Sequence, residues 1–212
     1  MSPQTPVTPA ASVSSHRVAP RRAGGDPGLS PGDAELVFQH AVEGLFQVGL
    51  KGRMTPPVQA RLKDAGLDLS RPLLPAYPRA AWNHFIQISA EGLWPGESPE
   101  RAYFALGRQL LLGYSRTLMG GAIIRLLRLI GPRRTLDRMT QNFRSGGNYN
   151  RCTVTEVGPR EVLLWLNEPT LHPGYVAGIL DAVLELVGAA QRDVQVHGRD
   201  AKGCTYRVRW EA

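Results

Sequence analysis

The sequence predicts an α+β protein: an N-terminal helical part followed by a ββαββ unit with an antiparallel sheet. Three observations predict it. From Pro56 to about Phe143 apolar residues recur at helical spacing. After Ser145-Gly146-Gly147-Asn148 the spacing falls to two. A single further helical stretch, with Tyr175, Ile179, Ala182, Val183 and Leu186 on one side, then lies between two pairs of strand-like segments.

Residues 1–33 hold six prolines and four glycines and no apolar periodicity, which predicts a disordered leader. Residues 34–212 are expected to form a single α+β domain, with its helical part at 34–147 and its ββαββ part at 148–212. Glu35–Leu50 mixes the two periods, so helix and strand both remain open there. Pro56 opens a short helix that Gly66 is placed to end. Pro78 suits the first position of the next helix, whose Ala81, Trp82, Phe85, Ile86 and Leu93 share a face. Ser98-Pro99-Glu100 supplies a capping hydroxyl, a first-turn proline and an acid. The helix it starts is expected to reach about Leu118, with a break or a close contact at Gly120-Gly121. Ala122–Ile130 continues as helix, Gly131-Pro132 stops it, and Arg133–Phe143 forms another short one.

In the second part, Cys152–Val157 and Val162–Leu166 flank a Gly158-Pro159 turn as a hairpin. A helix follows from Pro173, with His172 at its start. Val194 and Val196 mark a short strand. The last strand alternates Cys204, Tyr206, Val208 and Trp210 inward with Thr205, Arg207, Arg209 and Glu211 outward. Val162–Leu166 is apolar on both faces, which predicts that the upstream helices cover the second face of the sheet.

Composition excludes several classes. At 212 residues and 42% apolar content the chain can bury a real core. The longest apolar run, Leu118–Ile130, is interrupted by Arg125 and Arg128, so no membrane span is expected. Two cysteines and no secretion-signal pattern predict a cytoplasmic protein without a disulfide framework. The phosphate-loop, dinucleotide, zinc-protease, Cys-x-x-Cys and serine-elbow motifs are all missing. The histidines His16, His40, His84, His172 and His197 are dispersed. No catalytic residue, metal site or cofactor is therefore assigned.

The charge points elsewhere. The chain carries +7, and residues 120–151 hold seven arginines against a single acid, Asp137. Arginine offers a planar fork of donors suited to phosphate or carboxylate. The segment joins the two parts of the domain, where pockets commonly form. Arg133, Arg134, Arg144, Asn148 and Tyr149 are the candidate ligand-binding residues, and a small anionic or polar molecule or a protein partner is the expected occupant. The same Arg125–Arg151 cluster suits nucleic acid, although only Phe143 and Tyr149 interleave with it. An enzyme without a recognisable motif is the third reading.

Several segments resemble a myxobacterial paralogous domain family of unknown function. They are Glu43-Gly44-Leu45-Phe46, Ala65-Gly66-Leu67-Asp68-Leu69, Pro72–Pro78, Gly131–Arg134, Asn142–Tyr149, Trp165–Glu168 and Cys204–Trp210. The resemblance covers about Glu35–Glu211 and implies no activity. In element order, and in the Cys204–Trp210 ending, the chain is also similar to the vinyl-reductase-type sensory domain. The related haem-based nitric-oxide-binding domain shares that order. That likeness implies a small molecule held between the two parts. The haem domain's tyrosine, serine and arginine are spaced by single residues, whereas Tyr114-Ser115-Arg116 is contiguous here, so haem is not carried over. The function expected is a non-enzymatic, regulatory or sensory binding domain. Its leader is dispensable on this reading: a chain starting at Ala34 should melt within a few degrees of the full chain, and collapse of the transition on truncation would refute it.

Overall fold

The mixed period at the start of the domain resolves into two structures in succession. In the computed structural model, which describes residues 34–211, β1 (Leu36–Phe38) pairs antiparallel with β2 (Ala76–Pro78). The leader lies outside the described residues. β1 passes directly into α1 (Gln39–Val42) and then into a wider, π-type turn over Glu43–Gly49, closed by the Leu50 amide on the Leu45 carbonyl. α2 (Pro56–Asp64) ends as expected at Gly66, whose φ of +102° favours glycine.

Several boundaries differ from the sequence expectation: the stretch Arg133–Phe143 is divided at Arg138, and two further shifts each follow from one hydrogen bond. Pro78 has a helical φ of −57° but an extended ψ of 141°. It therefore closes β2, because the next amide, that of Arg79, is held across the sheet by the Glu35 carbonyl at 2.9 Å. α3 (Arg79–Leu93) starts one residue later and buries Trp82, Phe85 and Ile86. α4 (Pro99–Tyr114) stops short of Leu118, because the Thr117 hydroxyl accepts the Gly120 amide at 3.1 Å and caps a new helix, α5 (Leu118–Asp137). Gly131, at φ +77°, breaks α5 where the Gly-Pro pair predicts a stop. α6 (Met139–Gly146) completes the helical part. No single helix among the described residues is long and apolar enough to cross a membrane.

The second part is the expected ββαββ unit. β3 (Cys152–Gly158), β4 (Glu161–Leu166), α7 (Pro173–Leu186), β5 (Arg192–Arg199) and β6 (Cys204–Trp210) follow in order. The strands form an antiparallel sheet of order β3-β4-β6-β5. Cys204, Tyr206, Val208 and Trp210 are all buried, alongside Val162, Leu164 and Leu166 of β4. His172 caps α7, its Nδ1 accepting the Gly174 amide at 3.2 Å.

The helical part does not cover the second face of the sheet. Leu163 and Trp165 on that face stay half-buried beside Arg207 and Arg209. The helical part packs on α7 instead, through α4. The reason lies in α7: from Gly174 to Leu180 every residue is buried, so this helix needs cover on more than the side facing its own sheet. Gly107 of α4 lies against the Tyr175 carbonyl, and Gly178 of α7 against the Phe104 carbonyl, with no room for a Cβ at either place. Arg108 of α4 pairs with Asp181 and Glu185, which Arg192 of β5 also meets at 3.2 and 3.3 Å.

Gly178→Ala should therefore destabilise the domain by about 2–3 kcal/mol, because backbone must move to admit the methyl group. Gly146→Ala, whose Cβ would stand 3.7 Å from that of Ala41, should cost nothing or stabilise slightly. Urea unfolding measures both, and equal effects would contradict the close contact.

Candidate functional site

A cavity of about 130 Å³ lies where the helical part meets the ββαββ unit. α4 contributes Leu110, Leu111 and Tyr114 to its wall, and α5 contributes Ile123, Ile124 and Leu127. α7 supplies Tyr175, Val176, Ile179 and Val183, following the same stripe that the sequence places on one side of that helix. Met139, Phe143 and Tyr149 close it from α6 and the segment after it. The wall is almost wholly apolar, as small-molecule sites usually are.

The few polar groups in the wall are unusual. The hydroxyls of Tyr114 and Tyr175 are both buried, and neither has a hydrogen-bond partner among the described residues. A hydroxyl taken out of water without a partner costs on the order of 1–3 kcal/mol, so such groups are normally satisfied. Burial, reinforced by Tyr149 and by the Glu168 carboxylate, pushes the Tyr175 phenol well above its ordinary pKa and keeps its proton in place. Burial raises the Tyr149 phenol too.

Among the described residues Glu168 is the only charged side chain in the cavity wall, and it is 4% exposed. Its Oε1 accepts from Arg79 Nη2 at 3.0 Å, from the Thr170 amide and hydroxyl, and from the Leu171 amide at 3.2 Å. Oε2 takes none of these bonds. Arg79 also donates to Glu35 at 2.8 Å, and its guanidinium lies 4.6 Å from the centre of the Tyr149 ring. Burial opposes the Arg79 charge, but the bonds to Glu168 and Glu35 outweigh it and hold its pKa above the ordinary value. This charge pair welds β1, α3 and the β4–α7 connection together at one end of the cavity.

The five candidate residues do not converge. Tyr149 lines the cavity. Arg133 bonds to Glu156 at 2.8 Å and pairs with Asp137 one helical turn further on. Arg134 and Arg144 are exposed on α5 and α6 and are not in the cavity wall. Asn148 clips the loop to the start of the domain, accepting the Leu36 amide at 2.8 Å and donating to the Ala34 carbonyl at 2.9 Å. Tyr114, Tyr175 and Glu168 were not singled out from sequence as ligand contacts. A tyrosine within an apolar helical stripe, as Tyr175 is, is the signal that points to such a group. Burial pushes the Cys152 thiol up to about 12, against a smaller opposing effect of Thr140, which disfavours the thiolate. Among the described residues no group of three or more His, Cys, Asp or Glu side chains is placed to hold a metal ion.

The fold is an α+β architecture similar to that of H-NOX domains. The chain superposes on a variant of Tt H-NOX with a TM-score of 0.62 at 13% identity, over 82% of this chain and 95% of that one. An oxygen-binding H-NOX domain related to soluble guanylate cyclases gives 0.58 at 14% identity, over 82% and 92%. An H-NOX protein from S. oneidensis in the Fe(II)NO ligation state gives 0.61 at 10% identity, over 82% and 98%. The chain itself belongs to the family described as "Protein of unknown function (DUF2378)", whose model matches residues 35–211. A comparison with curated proteins gives no match.

The wall of this cavity does not fit haem. Among the described residues no histidine lines it: His40 bonds the Ser145 carbonyl, His172 caps α7, and His84 and His197 are exposed. No arginine or lysine stands in the wall to meet two propionates, and Glu168 would repel them. The volume of 130 Å³ is also well under the roughly 300 Å³ where drug-sized sites begin.

The unpartnered hydroxyls carry a stability prediction. Tyr175→Phe and Tyr114→Phe should each leave the ligand-free domain as stable as before or firmer by up to about 1–2 kcal/mol, since a desolvated hydroxyl is removed. Urea unfolding checks this, and a loss of that size would mean the hydroxyls are satisfied in solution.

Proposed function

We propose that this domain binds a small, uncharged, largely apolar molecule carrying a hydrogen-bonding group, in a regulatory or sensory role rather than a catalytic one. One observation carries the reading: two tyrosines that line an apolar cavity have buried hydroxyls without partners among the described residues. A ligand hydroxyl or carbonyl would satisfy what the protein leaves unmet, which is worth more in an apolar site than in water. The charges argue for an uncharged ligand. The arginines of 125–151 are not in the wall, and Glu168, already neutralised by Arg79, disfavours an anion. The H-NOX fold supports binding between the two parts, by analogy only.

The wall also supports a regulatory role. It draws on α5 and α6 from one part and on α7 from the other, so a ligand touches both. Occupancy would change how firmly they are held together, which is the differential contact that a switch requires. The unpaired state of Cys152 and Cys204 supports a reducing, cytoplasmic setting.

The test is mass spectrometry of an organic extract of the natively purified protein, followed by thermal melting with hexanol, hexanoate and haemin. Hexanol should raise the melting temperature, hexanoate much less, and haemin should give no bound-haem absorption band. Tyr114→Phe/Tyr175→Phe should cut the hexanol effect while leaving the ligand-free fold intact. Stabilisation by hexanoate alone, or stoichiometric haem uptake, would overturn the reading.

A further inference from the structure

α5 is apolar on two sides. Its inner side gives Ile123, Ile124 and Leu127 to the cavity. Its outer side exposes Leu118, Met119, Leu126 and Leu129, at 93%, 55%, 57% and 84%. Leu118, Ala122, Leu126 and Leu129 follow one another at i, i+4, i+8 and i+11, a single stripe. Large aliphatic side chains grouped on one exposed helix face mark an interaction surface.

Beside this stripe lies an open recess of about 450 Å³ lined by Arg116, Arg125 and Arg128, with Leu118 at its edge. Arg125 and Arg128 are steered by their Nε atoms, which donate to the Gly121 and Leu186 carbonyls at 3.2 and 3.0 Å. Their terminal nitrogens make no hydrogen bond or ion pair among the described residues, and neither does the Arg116 side chain, whose backbone amide donates to the Gly113 carbonyl. The chain holds no Asp or Glu anywhere between Glu100 and Asp137. Three donor forks therefore converge beside an exposed apolar stripe, with no local acid to neutralise them.

We propose that α5 docks the domain on the surface of an anionic phospholipid bilayer, its leucine stripe in the acyl boundary and Arg116, Arg125 and Arg128 on headgroup phosphates. Arginines flanking a leucine stripe are the chemistry of an interfacial helix. A second copy of the chain is a poorer occupant, since two-fold pairing would set like charges against each other. Nucleic acid would use the arginines but would leave four large aliphatic side chains in water. The inference is independent of what fills the cavity.

Flotation of the full chain with vesicles tests it, using phosphatidylcholine alone and phosphatidylcholine with one-third phosphatidylglycerol. Binding should need the anionic lipid. Arg125→Gln/Arg128→Gln should weaken it by about 25-fold, at about fivefold for each arginine near the surface. Leu118→Ser/Leu129→Ser should weaken it at least as much, and both variants should melt like the parent because the altered groups are exposed. Equal or absent binding to the two vesicle types would overturn the proposal. So would variants that float unchanged, or binding to a DNA duplex that both arginine substitutions abolish while vesicles are ignored.

Discussion

The contact on which the rest of the structure depends is the glycine-mediated approach of α4 to its two neighbours. Gly107 and Gly178 let α4 and α7 meet backbone to backbone, and Gly44, Gly49 and Gly113 do the same between α4 and the π-type turn. Helices packed through larger side chains stand about 8–10 Å apart. At all of these positions except Gly44, where it would stand 3.0 Å from the Tyr114 Cα, a single added Cβ would overlap a carbonyl. The wider turn over Glu43–Gly49 is where Gly44 and Gly49 both come to face α4.

That constraint also sets the candidate site. Gly107 lies against the backbone of Tyr175, while Gly44 and Gly120 both lie against Tyr114. The two tyrosines with unpartnered hydroxyls are thus the two whose backbones are pinned by glycine contacts. Their rings cannot retreat to water without unpacking α4. Sites built on rigid elements hold their polar groups in place at little further cost when a ligand arrives. The Arg79–Glu168 pair fixes the opposite side in the same sense, with every bond to the buried carboxylate made by neighbouring structure.

The likeness to H-NOX domains is one of architecture, and the chemistry of the cavity departs from haem binding. A fold hosts different ligands by changing the side chains that line its interior. Here the cavity lies between the two parts, and its wall holds phenols, aliphatic groups and one neutralised carboxylate. α5 couples that interior to an outer surface of quite different composition, with arginines and leucines side by side.

Local rules made much of this legible. Ser98-Pro99, Gly66, Gly131-Pro132 and the alternation of Cys204–Trp210 determine helix starts, stops and strand register through short-range capping, backbone freedom and the two-residue period. The order of elements follows from them. What the sequence could not decide was which buried face meets which. It pointed to the second sheet face as the place for the helices, whereas α4 and α7 meet through glycines whose partners are more than sixty residues apart. It also grouped Arg133, Arg134, Arg144, Asn148 and Tyr149 because they are neighbours in the chain. Tertiary structure turns them to different tasks and brings Tyr114, Tyr149, Glu168 and Tyr175 around one cavity instead. Sequence proximity fixes local conformation, but a binding site is a set of directions in space, and those are set by the packing of distant segments.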